Sequence, residues 1–110
     1  KIAVSLFVDP DLQQIDACAI EGVDMIELNT AEYAEETPNE IVRIQQAAQR
    51  AQNLGLEVAA GHGLTHHNLS TLVSNVPEIV EYNIGHSIIG RAIFVGMDRA
   101  VRDILNIINQ

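Results

Sequence analysis

The chain has 110 residues, room for one small domain and too few for a complete (β/α)8 barrel of about 250 residues. Hydrophobic residues make up 47% of it, enough for a packed core, which excludes a disordered chain. Fifteen acidic against six basic residues give a net charge of −9. That surface argues against nucleic-acid and membrane partners, whereas a local nest of backbone N–H groups can still hold a phosphorylated small molecule.

Ile2 to Val8 is a short apolar run rich in β-branched residues and is predicted to be a strand. With no cleavage-site pattern, it is not expected to be a signal peptide. Asp9 and Pro10 follow as cap and first helical residue, with Leu12, Ile15 and Ala19 at helical spacing up to Gly22. The single cysteine, Cys18, falls on the apolar side of this helix and reads as a buried, inert thiol. One cysteine forms no internal disulfide, which suits a reducing compartment and a cytoplasmic location.

Asp24 to Asn29 is the second predicted strand, with Met25, Glu27 and Asn29 on one face and Ile26 and Leu28 on the other. A loop containing Tyr33 precedes Thr37-Pro38-Asn39-Glu40, which has the form of a capping box. Ile41, Ile44, Ala48, Ala51 and Leu54 then stripe a long helix that ends at Gly55. Leu56 to Gly61 is the third strand. Asn68 is placed to cap a short helix carrying Leu69, Leu72 and Val73, and Ile79 to Ile84 is the fourth strand. Gly85-His86-Ser87 opens a helix continuing from Ile88 to Val95, and a last helix begins near Asp98 with Val101, Ile104, Leu105 and Ile108 inward. No apolar run reaches the ~20 residues of a membrane span.

Strands alternating with helices imply a parallel sheet and an α/β fold. Four βα units make half a TIM (β/α)8 barrel or a small open sheet. Polar alternation in two strands, Glu27 with Asn29 and Glu81 with Asn83, favours the barrel, because helices on both faces of an open sheet would bury those carboxylates. The expectation is one partial barrel domain over residues 1–110, with an extra short helix at a phosphate site.

Three places can carry chemistry. Gly61-His62-Gly63 lies at the C-terminal end of a strand, where parallel α/β enzymes place their sites, and His62 can give or take a proton near neutral pH. The alternative is a loop histidine satisfied by a carbonyl. Gly85-His86 turns from a strand into a helix, so free N–H groups and the positive helix end can face a phosphate; an ordinary βα turn is the alternative. Glu27 is aimed inward by its parity and either stabilises a developing cation, moves a proton or only holds the interior. His66 and His67 lack the further ligands of a zinc site, so no metal is expected. Arg91 is expected to pair with an acid or face solvent rather than reach a phosphate, and Tyr33 to pack in its loop.

Several segments carry a resemblance to the pyridoxine 5'-phosphate synthase family. They are Val4-Ser5-Leu6-Phe7, Ile26-Glu27-Leu28, Ala60-Gly61-His62-Gly63-Leu64-Thr65, and Asn83-Ile84-Gly85-His86-Ser87-Ile88-Ile89-Gly90-Arg91-Ala92. The likeness runs essentially the whole length of the chain and covers only the second half of the family's barrel. It implies condensation of 3-amino-2-oxopropyl phosphate with 1-deoxy-D-xylulose 5-phosphate to pyridoxine 5'-phosphate, phosphate and water, with no cofactor. Residue by residue, His62 matches the family's proton donor and Glu27 its transition-state stabiliser. Gly63, Gly85 and His86 match residues that bind the amino-ketone phosphate. Asn29 stands where the pattern has histidine, and Ala31 where it has glycine. The resemblance further implies an N-terminal half as partner, an inactive isolated fragment, and a homo-oligomer, commonly an octamer. Two other readings stay open: a non-catalytic phosphate-binding half-barrel that self-associates, and another barrel enzyme acting on sugar phosphates.

Overall fold

Side-chain alternation along the strands decides which face of the sheet is covered. The computed structural model describes residues 4–109, and of residues 86–88 and 90 the backbone alone. The elements run β1 (Ser5–Val8), α1 (Leu12–Ala17), β2 (Met25–Asn29), α2 (Ala31–Ala34), α3 (Glu40–Asn53), β3 (Glu57–Gly61), α4 (Leu69–Asn75), β4 (Ile79–Asn83), α5 (His86–Val95) and α6 (Met97–Ile108). All strand pairs are parallel, in the order β1-β2-β3-β4, so the α/β class read from the sequence holds.

One face of the sheet is packed. Ile26 and Leu28 of β2 and Val58 and Ala60 of β3 meet Ile15 of α1, Ile44, Ala48 and Ala51 of α3, Leu69 and Leu72 of α4, and Ile104 of α6 in a single buried cluster. Each large aliphatic side chain so buried contributes about 1.5–3 kcal/mol. The opposite face carries Ser5, Phe7, Glu27, Asn29, Glu81 and Asn83, all partly or fully exposed.

An irregularity in β4 sets that division. Val58 pairs with Ile79 but Ala59 pairs with Glu81, so Val80 is an extra residue in the ladder. Because side chains alternate with a period of two, this bulge reverses the facing of everything after it. Ile79 stays in the core, whereas Glu81 and Asn83 emerge on the open face beside Glu27.

Several local expectations are corrected. Asp11, not Asp9, caps α1, its Oδ1 accepting from the N–H groups of Gln13 at 2.8 Å and Gln14 at 3.3 Å. The helix begins at Leu12, which puts Pro10 before the cap. The stretch holding Tyr33 includes the one-turn helix α2. Thr37 and Glu40 form no capping box: Asn39 stands at the N-cap with φ 67°, and Glu40 is the first residue of α3. Glu40 is buried instead, 2.5 Å from Arg43 Nη1, which also reaches Glu32. In α6 the inward residues are Ala100, Ile104, Ile107 and Ile108; Val101 and Leu105 are exposed. Of the first predicted strand, Ile2 and Ala3 lie outside the described residues.

Candidate active site

The loops that leave β3 and β4 at their C-terminal ends face one another. After Gly61 the backbone enters the left-handed region for two residues, His62 at φ 90° and Gly63 at φ 77°. For histidine that conformation is strained, costing on the order of 1–3 kcal/mol, and persists only where its surroundings enforce it. Here the enforcement comes from Thr30, just beyond β2. Its backbone N–H donates to Gly61 O at 2.9 Å, and its hydroxyl lies 2.8 Å from Gly61 O and 2.7 Å from His62 O. Thr30 is fully buried, so water does not compete for these bonds. Gly63 is required by space as well as by φ, because a Cβ there would lie 2.6 Å from Ala34 Cβ.

The loop beyond the turn is braced by Asn68. Its side chain accepts from the Thr65 N–H at 2.9 Å and donates to Gly63 O at 3.2 Å. That side chain therefore turns back into the loop rather than capping α4, as the sequence had suggested. Tyr33 packs as expected and also donates its hydroxyl to Asn68 O at 2.5 Å. Burial pushes the Tyr33 phenol above its ordinary pKa, which keeps it a neutral donor.

Across from His62, Gly85 occupies the N-cap of α5. A cleft of about 640 Å³ lies between the two turns, lined by His62, Gly63, Leu64, Thr65, Asn83, Ile84 and Gly85. The first turn of the ten-residue α5 leaves backbone N–H groups without helical partners at the helix's positive end, next to this cleft. Among the described residues no lysine or arginine lines it, so an anion held by these residues would rest on backbone groups and the dipole. Arg91 instead pairs with Asp103 of α6, and its guanidinium holds that carboxyl below the usual carboxylate range. His86 begins α5 immediately after Gly85, but its side chain lies outside the described residues.

Glu27 joins the site from the open face of the sheet. Its register partners are Phe7 and Ala59, yet its carboxylate rises towards Gly61 and Asn83. Asn83 Nδ2 donates to Glu27 Oε1 at 2.7 Å and lies 3.3 Å from Glu81 Oε2. A Cβ on Gly61 would lie 2.5 Å from Glu27 Oε2, so glycine there makes room for the carboxylate. Glu27 is half-buried rather than sealed in an interior.

The remaining reactive groups lie elsewhere. His66 and His67 sit ring against ring at 3.9 Å, and desolvation, then the neighbouring His67, lowers the His66 pKa. Among the described residues no three His, Cys, Asp or Glu side chains gather in a way that could hold a metal ion. Cys18 is buried, and burial pushes its thiol pKa up. Among the described residues no helix is long and apolar enough to cross a membrane.

Residues 1–110 match the sequence model of a family described as "Pyridoxal phosphate biosynthesis protein PdxJ". The chain belongs to the PdxJ family. It is 47% identical to pyridoxine 5'-phosphate synthase of Idiomarina loihiensis over 99% of its own length and 47% of the relative's. The enzyme of that name from Akkermansia muciniphila is 45% identical over 99% of this chain and 46% of its own. That from a Synechococcus strain is 50% identical over 93% of this chain and 44% of its own. The chain thus spans about half the length of the curated PdxJ relatives it matches.

Of the residues singled out in the sequence, His62, Gly63 and Gly85 line one cleft, and Glu27 is tied to its wall through Asn83. Thr30 was not foreseen, because a threonine at a strand end carries no distinctive pattern. Asn83 was noticed for its polarity but not as the partner of Glu27.

Proposed function

We propose that this chain is the C-terminal half of a (β/α)8-barrel pyridoxine 5'-phosphate synthase. It condenses 3-amino-2-oxopropyl phosphate with 1-deoxy-D-xylulose 5-phosphate once an N-terminal half completes the barrel. The observation that carries the reading is the strained His62 turn, clamped by Thr30, facing the N-terminus of α5 across one cleft.

Residues 1–110 form one partial domain in this reading. A parallel sheet in sequential order, with helices on one face and polar groups on the other, is the arrangement of four consecutive barrel units. The unpaired sides of β1 and β4 are the seams at which the missing strands add. The length of the relatives, about twice that of this chain, supports the same division.

Each residue then has a task. The α5 N-terminus, with Gly63, Gly85 and His86, holds the phosphate of the amino-ketone substrate. His62, beside that phosphate, donates a proton to an oxygen that must leave as water, since loss of hydroxide is far harder. Glu27, aimed up the open face, stabilises positive charge that develops as the amine condenses with a carbonyl. Proton transfer and electrostatics suffice for these steps, so no cofactor is invoked. The other phosphate substrate and the remaining acid–base groups belong to the N-terminal half, so the isolated fragment is inactive. The assembled enzyme is a cytoplasmic homo-oligomer.

The test is an assay of the complete barrel with both phosphorylated substrates, wild type beside His62→Ala, following pyridoxine 5'-phosphate. Product from wild type with a loss of about a hundredfold or more in the variant supports the reading. A folded complete barrel that makes no product would sink it.

A further inference from the structure

We infer that Asn83 is a positioning residue that acts through Glu27, an assignment resting on the catalytic reading of Glu27 above. The amide of Asn83 stands between two carboxylates, donating to Glu27 at 2.7 Å and reaching Glu81 at 3.3 Å from the same nitrogen. The opposite amide orientation would set its carbonyl oxygen against both carboxylates, so the donor must face them.

The arrangement is built by three strands. The β4 bulge turns Glu81 and Asn83 onto the open face; without it, both would point toward the core. Gly61 on β3 leaves the gap that the Glu27 carboxylate fills. Asn83 on β4 then holds Oε1 from the far side, and Oε2 is left above Gly61, one residue before His62. Asn83 also lines the cleft beside Gly85, so it links the Glu27 carboxylate to the wall of the substrate cleft.

One consequence follows for catalysis. The hydrogen bond fixes the carboxylate before substrate arrives, which removes the entropic cost of orienting it during the reaction. Substrate binding through phosphate does not depend on this orientation, so loss of Asn83 acts on kcat more than on KM.

The test uses the complete barrel and four variants: Asn83→Ala, Asn83→Asp, Glu27→Gln and Glu27→Gln with Asn83→Ala. Asn83→Ala should lower kcat on the order of tenfold to a hundredfold, as for a reacting group displaced by about 1 Å. Asn83→Asp keeps the shape and carries the test should the alanine variant not fold. It replaces the donor with a carboxylate facing Glu27 and Glu81, so repulsion should push the Glu27 carboxylate out of place and lower kcat with KM little changed, a split that a purely structural role would not produce. In the Glu27→Gln background, Asn83→Ala should cost almost nothing further, the signature of two residues acting as one unit. Wild-type kcat for Asn83→Ala, or its full cost persisting without Glu27, overturns the assignment while leaving Glu27 catalytic. Wild-type kcat for Glu27→Gln is the separate outcome that removes the catalytic reading of Glu27 and this assignment with it.

Discussion

Thr30 Oγ1 lies 2.7 Å from the carbonyl oxygen of His62, so the end of β2 holds the backbone of a residue 32 positions further along the chain. The hydroxyl has one proton and two carbonyl acceptors, Gly61 O and His62 O, within reach. A left-handed histidine is thereby fixed by a fully buried side chain just beyond the neighbouring strand. The stress of the turn and the group that contains it belong to different elements, which is why the geometry at His62 depends on β2–β3 pairing being intact.

Thr30→Val retains the shape and removes the donor. Leaving the two carbonyls without it should cost about 1–3 kcal/mol, read from urea denaturation midpoints with an unchanged slope. Thr30→Ser, which restores the hydroxyl, should recover most of that loss. Equal stability of the valine and serine variants would show that the clamp contributes nothing.

Gly61→Ala and Gly63→Ala should fail in different ways. At Gly61 the new methyl meets Glu27 Oε2 at 2.5 Å, the movable end of a side chain, so the carboxylate is displaced and turnover falls more than stability. At Gly63 the backbone sits at φ 77° and the methyl meets Ala34 Cβ at 2.6 Å, so stability should drop by more than about 1 kcal/mol. Ala34→Gly in the Gly63→Ala background should recover only the steric part. Full recovery would show that φ at this position carries no penalty.

Much of this was legible in the sequence because it rests on local periodicity. The parity of Met25, Glu27 and Asn29 against Ile26 and Leu28 placed Glu27 on the open face, and the stripe at Ile44, Ala48 and Ala51 gave the packed side of α3. The order of strand, glycine turn and helix placed His62 and Gly85 at one end of the sheet. What escaped depends on contacts between distant segments. The bulge at Val80 cannot be read from β4 alone, since it exists only relative to the register of β3. The capping box failed because Glu40 pairs with Arg43 on its own helix while Asn39 turns left-handed. In α6, Val101 and Leu105 fit a helical stripe as well as Ala100 and Ile104 do, and packing of α6 on α4 and α5 chose the latter.

The Arg91–Asp103 pair should make the protein acid-sensitive at the α5–α6 contact. Hydrogen bonding from Arg91 is the largest cause lowering the Asp103 pKa. A carboxyl whose folded pKa lies below its unfolded value contributes stability that is fully present above the unfolded value near pH 3.9 and is lost as pH falls through the folded one. Arg91→Gln removes the largest cause of the shift, so melting temperature should fall less steeply with pH below about 4 than in wild type. Equally steep acid limbs for the two proteins would mean that the pair contributes no pH dependence.

Cys18 offers a readout of the α1–α3 packing that is independent of activity. It follows α1, is 4% exposed, and belongs to the cluster that includes Ile15, Ala47 and Ala51. Two effects protect it: the sulfur is shielded from reagent, and burial raises the thiol pKa so that little thiolate forms. Thiolate is the reactive species, so an aromatic disulfide reagent at pH 8 should label the native protein slowly and the guanidinium-unfolded protein at once. Ala47→Gly or Ile15→Ala, which loosen the facing surfaces, should speed native labelling in proportion to their loss of stability if the thiol is exposed by opening of this cluster. Rapid labelling of the native wild type would place Cys18 at the surface and contradict the packing of α1 on α3.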